Sequence, residues 1–502
     1  MTKPNILFIQ VDQLAASSLR AYGNTFCHAP NLDRLAAEGT VVETAYCNFP
    51  LCAPSRASMA TGQLCSRIAA FDNAAELPAS IPTYAHYLAA AGYQTALSGK
   101  MHFIGPDQFH GFEKRLTPDL YPADFSWVPN WGDEGERDTN DPRSVTISGQ
   151  CARSTQIDFD DLVTYSAVQH LYDVARSGDR RPFFLQVSYT HPHEPYLCRP
   201  EYWDLYEGVD IPAPAVGPLA ADQHDAHSRR TLSDFGMLEA PFTEEDIARS
   251  RRAHFGAISY LDAMIGQLLD VLDGLGMAEN TAIFFTSDHG EMLGERGMWF
   301  KKSFFEDSIR VPLLMKLPGV APGRMQTPAS LVDLLPTFMG LATGSGWQSD
   351  VEELDGADLT ALLGADDPGR ALFAEYLAEA TTAPIFMIRR GRYKFVTSAE
   401  DPPLLFDVVA DPLEMTNLAG DPDHAGRVAG FLAEVAGKWD HATLTQDIMR
   451  SQRRRRLVLD SYRDRTRPRW NHGETPETKV PWYRGEGGYN EWAFDYLPVK
   501  GD

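Results

Sequence analysis

Along the chain, short apolar runs alternate with segments of helical period. Asn5–Val11 reads as a buried strand, and Pro30–Glu38, closed by Gly39, reads as a helix. The alternation continues, with strands expected at 41–47, 95–97, 183–189 and 281–286 and a helix at 82–91, which has Ser80 near its start and Gly92 past its end. This order predicts an α/β fold: a large mixed, mostly parallel sheet flanked by helices. A helix at 331–341 and the Leu354-Asp-Gly-Ala-Asp-Leu turn close a large domain spanning 1–365. Strands at 393–397 and 404–408 and a helix at 428–439 then predict a smaller C-terminal α+β subdomain over 366–445. After about residue 445 no packable period is legible, yet 446–502 carries Trp470, Trp482, Tyr483, Tyr489, Trp492, Phe494 and Tyr496. So aromatic a tail is expected to lie on a neighbouring subunit or over a pocket, making the protein a homo-oligomer, dimer or tetramer.

Ligands of open α/β sheets bind outside the carboxyl ends of the strands. The residues that follow the predicted strands are Asp12 and Gln13, Lys100 and His102, His191 and His193, and Asp288 and His289. Singly, each is an ordinary polar loop residue. Together they describe a metal-assisted anion site, with Asp12 and Asp288 as hard oxygen ligands and Gln13 as a neutral carbonyl. His289 is either a nitrogen ligand or a hydrogen-bond donor to the anion. Cys52-Ala-Pro-Ser-Arg56 opens a run that should be helical, so Cys52 sits where a helix dipole and an arginine can hold an anion. It is a nucleophile candidate, the alternative on spacing alone being a buried structural thiol.

The 45 basic and 69 acidic residues leave a formal charge of -24, which repels nucleic acid and anionic lipid, so an anionic substrate needs a local basic pocket. The Arg453 to Arg456 run reads as a solvated or paired face. Six cysteines without CxxC spacing fit a reducing compartment. The first apolar run is too short for a signal peptide and no window approaches the ~20 apolar residues of a membrane span, so a cytoplasmic protein is expected.

Cys-x-Pro-Ser-Arg-x-x-x-x-Thr-Gly, as it stands at 52–62, resembles the signature of the formylglycine sulfatases of the alkaline phosphatase superfamily. The resemblance implies that a maturation enzyme oxidises Cys52 to formylglycine. One hydroxyl of the aldehyde hydrate attacks sulfur; His102 then deprotonates the other, and sulfate leaves with the aldehyde restored. It also implies one divalent metal ion, calcium or manganese, held by Asp12, Gln13, Cys52, Asp288 and His289. Arg56, Lys100 and Lys301 carry positive charge around the sulfate, and His193 or Lys301 protonates the departing alcohol. His191 is a supporting residue. The Lys301 assignment follows from Lys301-Lys-Ser-Phe-Phe-Glu-Asp-Ser-Ile-Arg-Val-Pro, in which Lys302 is one place out of register and Glu306 positions the loop.

Further stretches resemble the choline sulfatases: Asp72-Asn-Ala-Ala-Glu, the segment from Ser98 to Glu113, Tyr121-Pro-Ala-Asp-Phe-Ser-Trp and Glu375-Tyr-Leu-Ala-Glu-Ala. That resemblance implies choline sulfate as substrate and a quaternary-ammonium cage from Trp127, Glu379 and Asn73, since such a cation needs aromatic faces and a carboxylate. Val480-Pro-Trp-Tyr-Arg-Gly-Glu departs from the pattern, which keeps an arylsulfatase open. A phosphonate monoester or phosphodiester hydrolase using the same site stays open as well.

Overall fold

The structure is a computed structural model that describes residues 3–132, 141–238, 242–365, 367–462, 470, 494 and 496–499. Its centre is an eight-stranded sheet in the order Gly323–Met325, Thr40–Val42, Leu313–Lys316, Thr281–Ser287, Asn5–Val11, Phe183–Ser188, Gln94–Gly99, Lys114–Arg115. Within it Leu313–Lys316 alone runs against its neighbours; the other pairings are parallel.

The unbroken apolar run of Asn5–Val11 has a direct cause. Ile6 and Phe8 point into one core with the Tyr84–Ala90 and Leu334–Thr343 helices, while Leu7, Ile9 and Val11 point into a second core with Thr155–Arg176 and Glu244–Gly274. A strand covered by helices on both faces has no solvent side to be polar. Gln10, the interruption, is fully buried and accepts from Gln186 Nε2 at 2.8 Å.

The stretch expected as one strand at 41–47 is split. Thr40–Val42 joins the main sheet, and Ala45–Tyr46 joins a small sheet with Arg310–Val311 and Ala329–Ser330, because the chain turns between them at Glu43 and Thr44. The Glu244–Gly274 helix, contrary to the membrane-span expectation, contains a window long and apolar enough to cross a bilayer. In this fold 78% of that window is buried inside the protein, so its apolarity is spent on the second core.

The smaller unit is an antiparallel sheet of Leu372–Tyr376, Ile385–Arg390, Tyr393–Ser398 and Leu404–Asp407, covered by Ala425–Lys438. A buried ion cluster joins it to the large unit: Lys394 Nζ lies 3.0 Å from Glu306 Oε1 and 2.6 Å from Glu414 Oε1, and Arg389 donates to Tyr46 Oη at 2.7 Å. Glu306 thus anchors its loop to the second sheet.

The chain does not lose its period after 445. Asp440 caps a helix, His441–Asp460, whose buried residues are Leu444, Ile448, Gln452 and Arg455. The stripe has helical spacing, but half of it is polar, so a search for apolar periodicity passes over it. Arg455 is not a solvated member of a charge run; it forms a bidentate pair with fully buried Asp72. Of the aromatic tail, Trp470 packs edge-on against Phe125, Phe494 lies under the Arg143 guanidinium, and Tyr496–Leu497 pairs with Arg153–Ser154, all on the same chain. The rest of the tail, with Trp482, Tyr483, Tyr489 and Trp492, lies outside the described residues.

Candidate functional site

The predicted strand ends do converge. Gln10 of the first strand pairs with Ser188 and Thr286, so the residues beyond, Asp12, His191 and Asp288, leave the sheet at one level, with Lys100 beside them after Gly99. Gly99 has φ of +108°, and a Cβ there would stand 1.9 Å from the Ser188 carbonyl oxygen, so only glycine brings Lys100 into this place.

Cys52 is the first residue of a ten-residue helix, Cys52–Thr61, in which every side chain is buried. Pro54 costs nothing in the first turn, where its missing N–H would have no helical partner. The helix has no side-chain cap of its own; Asn73 Oδ1 accepts the Ala53 N–H at 3.0 Å instead, and Gly62 ends it in the left-handed region. Ser55 Oγ, one turn in, donates to the Asp288 carbonyl at 2.5 Å and ties the helix to the sheet edge.

Asp12, Cys52, Asp288 and His289, all buried, bring one ligand atom each to within 4.8 Å of one another. His289 Nδ1 faces the Gly290 carbonyl at 3.0 Å; a carbonyl only accepts, so Nδ1 carries the hydrogen and Nε2 keeps its lone pair. That Nε2 lies 3.1 Å from Cys52 Sγ and 3.7 Å from Oδ1 of both Asp12 and Asp288. Asp288 Oδ2 accepts from Arg56 Nε at 2.7 Å while its Oδ1 takes the His289 N–H at 2.9 Å, and Asp12 Oδ2 accepts from Lys100 Nζ and, at 3.4 Å, from Arg56. These side chains could together hold a divalent ion, with the hydrogen bonds behind them fixing their orientation. Burial alone would raise the Asp12 carboxyl, but Lys100, His193, Arg56 and His289 hold it well below the usual carboxylate range. Burial, foremost, lowers the His289 imidazole.

Gln13, with φ of +65°, enters differently. Its N–H donates to Asp288 Oδ1 at 3.1 Å, its Oε1 accepts from Lys301 Nζ at 2.5 Å, and its Nε2 bonds Glu194 Oε2 at 2.5 Å and also Glu291. Lys301 Nζ is 3.1 Å from His193 Nε2, and His193 Nδ1 faces the Glu194 carbonyl at 2.7 Å. Burial opposes the Lys301 charge, but the Cys52, Glu194, Asp12 and Glu291 groups around it hold its ammonium above the usual range. His191 is a step back: its Nδ1 pairs with Asp160 Oδ2 at 2.6 Å.

His102 is 3% exposed, and neither ring nitrogen has a hydrogen-bond partner among the described residues. Burial, reinforced by the Lys100 charge, holds its imidazole well below the ordinary range, so the ring is neutral. It is positioned through its backbone: Asp119 Oδ2 accepts the Met101 and His102 N–H groups at 2.8 Å each, and Tyr121 lies against the ring with centroids 4.8 Å apart. Trp127, half-buried, meets His102 edge-on at 5.6 Å. Glu379 is paired with Lys302 Nζ at 2.6 Å, so the residue one place out of register has a partner of its own.

Sequence reasoning passed over Asp119, Tyr121, Glu194 and Glu291. Glu194 and Glu291 stand one residue beyond His193 and two beyond His289, a proximity that was available as a signal. Burial and the neighbouring Glu194 push Glu291 up to about 7, and its Oε1 accepts the Leu293 and Phe300 N–H groups at 2.7 Å each.

A buried acid, imidazole and thiol cluster, backed by an arginine and lysines, stands at the carboxyl edge of a mostly parallel sheet, the place and chemistry of an anion site that could also hold a divalent ion. Comparison with known proteins narrows the class. Residues 4–345 match the family described as Sulfatase, and residues 294–436 match the C-terminal region of N-sulphoglucosamine sulphohydrolase. The chain is 46% identical over 480 residues to "Choline-sulfatase" of Rhizobium meliloti (strain 1021), covering 94% of this chain and 93% of that one. It is 30% identical over 513 residues to "Multifunctional alkaline phosphatase superfamily protein PehA" of Trinickia caryophylli, covering 90% and 98%. Among solved structures it resembles the phosphonate monoester hydrolase of Agrobacterium radiobacter, with a TM-score of 0.70 and 26% identity over 86% of this chain and 95% of that one. The chain belongs to the sulfatase family, and it is a sulfuric ester hydrolase.

Proposed function

We propose that the enzyme hydrolyses a small sulfate ester, choline sulfate first, to its alcohol and inorganic sulfate. The observation that carries this reading is the 46% identity to a choline-sulfatase across nearly the whole chain, joined to the buried Asp12, Cys52, Asp288 and His289 group at the start of a helix. The donor set fits a divalent ion. Its mixture of oxygens and one imidazole nitrogen suits manganese as well as calcium.

A metal held by Asp12, Asp288 and His289 would supply Lewis-acid polarisation of the sulfate oxygens, and formylglycine made from Cys52 by a maturation enzyme would supply the nucleophile; the Gln13 side chain, expected as a further ligand, is bonded instead to Lys301, Glu194 and Glu291. The chain's own groups do the rest. Arg56 fixes the outer oxygens of both aspartates and, with Lys100 and Lys301, leaves enough positive charge for a monoanionic ester but not for a dianionic one. His102, held neutral by burial and the Lys100 charge, is the group that would accept a proton there. Lys301 and His193, hydrogen-bonded to each other, hold the proton that the departing alkoxide needs. On the alcohol side, the Trp127 ring would face the quaternary ammonium, with the cage completed by Glu379, which is held by Lys302, and Asn73, which caps the Cys52 helix at Ala53.

The likeness to a phosphonate monoester hydrolase favours a second reading, hydrolysis of a phosphonate monoester or phosphodiester, whose single charge the same cations match. Localisation in the cytoplasm and an oligomer built through the tail remain part of the proposal. The test is sulfate release from choline sulfate by protein in which peptide mass spectrometry verifies the conversion of Cys52. Turnover that tracks the converted fraction supports the reading; turnover by unconverted protein refutes it.

A further inference from the structure

The residues read as facing the alcohol sit on segments far apart in sequence, at Asp72–Asn73, Trp127–Trp131 and Ala378–Glu379, and all are tied to one face of the His441–Asp460 helix. Arg455 places its two terminal nitrogens on Asp72 Oδ1 and Oδ2 at 2.6 and 2.7 Å. Gln452 Oε1 accepts the Trp131 N–H at 3.0 Å, and Arg456 donates to the carbonyls of Pro129 and Val128 at 3.3 and 3.2 Å. Trp131 passes the connection on, its indole N–H donating to the Ala378 carbonyl at 2.6 Å. Positions 452, 455 and 456 share a helix face by their spacing.

A buried bidentate arginine and carboxylate pair is rarely the most stabilising filling for its volume; what it fixes well is geometry. Here it fixes Asp72, whose neighbour Asn73 caps the nucleophile's helix at Ala53. We propose that Gln452 and Arg455 are positioning residues for substrate specificity, and that their helix is the frame that sets the pocket for the leaving alcohol. Neither touches the sulfate centre. The inference rests on the sulfate-ester reading of the site.

The test compares kcat and KM for choline sulfate and for an aryl sulfate in Gln452→Leu, Gln452→Glu, Arg455→Lys and the unaltered enzyme, with metal content and Cys52 conversion measured in each. Gln452→Leu and Arg455→Lys should shift the ratio of kcat/KM between the two esters by about tenfold or more, mainly through KM. Gln452→Glu, which keeps an acceptor for Trp131, should restore the ratio. An unchanged ratio, or an equal loss on both esters through kcat, overturns the proposal. Should Arg455→Lys fail to fold, the Gln452 pair decides alone. If the unaltered enzyme prefers the aryl ester, the choline reading falls, while the shift in ratio still decides whether the helix is the frame.

Discussion

Arg56 Nε lies 2.7 Å from Asp288 Oδ2, and both side chains are sealed from solvent. The same guanidinium donates to the Lys100 carbonyl at 2.8 Å and to Ser188 Oγ at 2.9 Å. One arginine therefore ties the carboxyl ends of several strands together behind the metal-binding atoms. Arg56→Lys keeps the charge and loses the fork, so it should weaken metal binding about 10–100-fold. Titration of metal into metal-free protein reads this; undiminished affinity contradicts it.

Chelation should abolish sulfate release, and both manganese and calcium should restore it. Because His289 brings the one nitrogen to the proposed donor set, His289→Asn should shift the preference toward calcium, the harder ion. Activity of the variant after reconstitution with each ion separately checks this.

His102 is positioned by its backbone and has no side-chain hydrogen bonds to lose. His102→Ala should therefore fold and bind metal as before while kcat falls about 10²–10⁴-fold, the usual worth of a general base. Steady-state kinetics with a parallel metal assay separates that outcome from misfolding.

Glu306 gives a dependence on pH. Burial would raise its carboxyl, but Lys394, Arg389 and Arg310 hold it down to about 2. A depressed carboxylate contributes stability that is present above its ordinary value of 4.5 and lost as pH falls toward 2. Glu306→Gln should be less stable than the unaltered enzyme at pH 7, with the gap closing as pH falls below 4.5 in denaturant titrations. A gap of constant size would show that ionisation is not its source.

Much of this site can be seen in the sequence because strand ends in an α/β fold announce themselves. Asp12, Lys100, His193 and Asp288 each follow an apolar run, and the Cys52 to Arg56 signature fixes the helix between them. What escapes is whatever depends on packing between distant segments. Glu194 and Glu291 look like ordinary acids until Gln13 is found between them. The partner of Lys302, Glu379, lies on the second domain. Arg455 reads as surface charge because nothing near it in sequence reveals Asp72, and the helix that carries it offers too few apolar residues for periodicity to register.

Whether the site of this sulfatase acts on choline sulfate is read from kcat/KM for choline sulfate, an aryl sulfate and a phosphonate monoester on one preparation with verified Cys52 conversion. A preference of at least about tenfold for choline sulfate is expected, lost in Trp127→Ala through a raised KM. Preference for the aryl sulfate or the phosphonate by fully converted enzyme would contradict it.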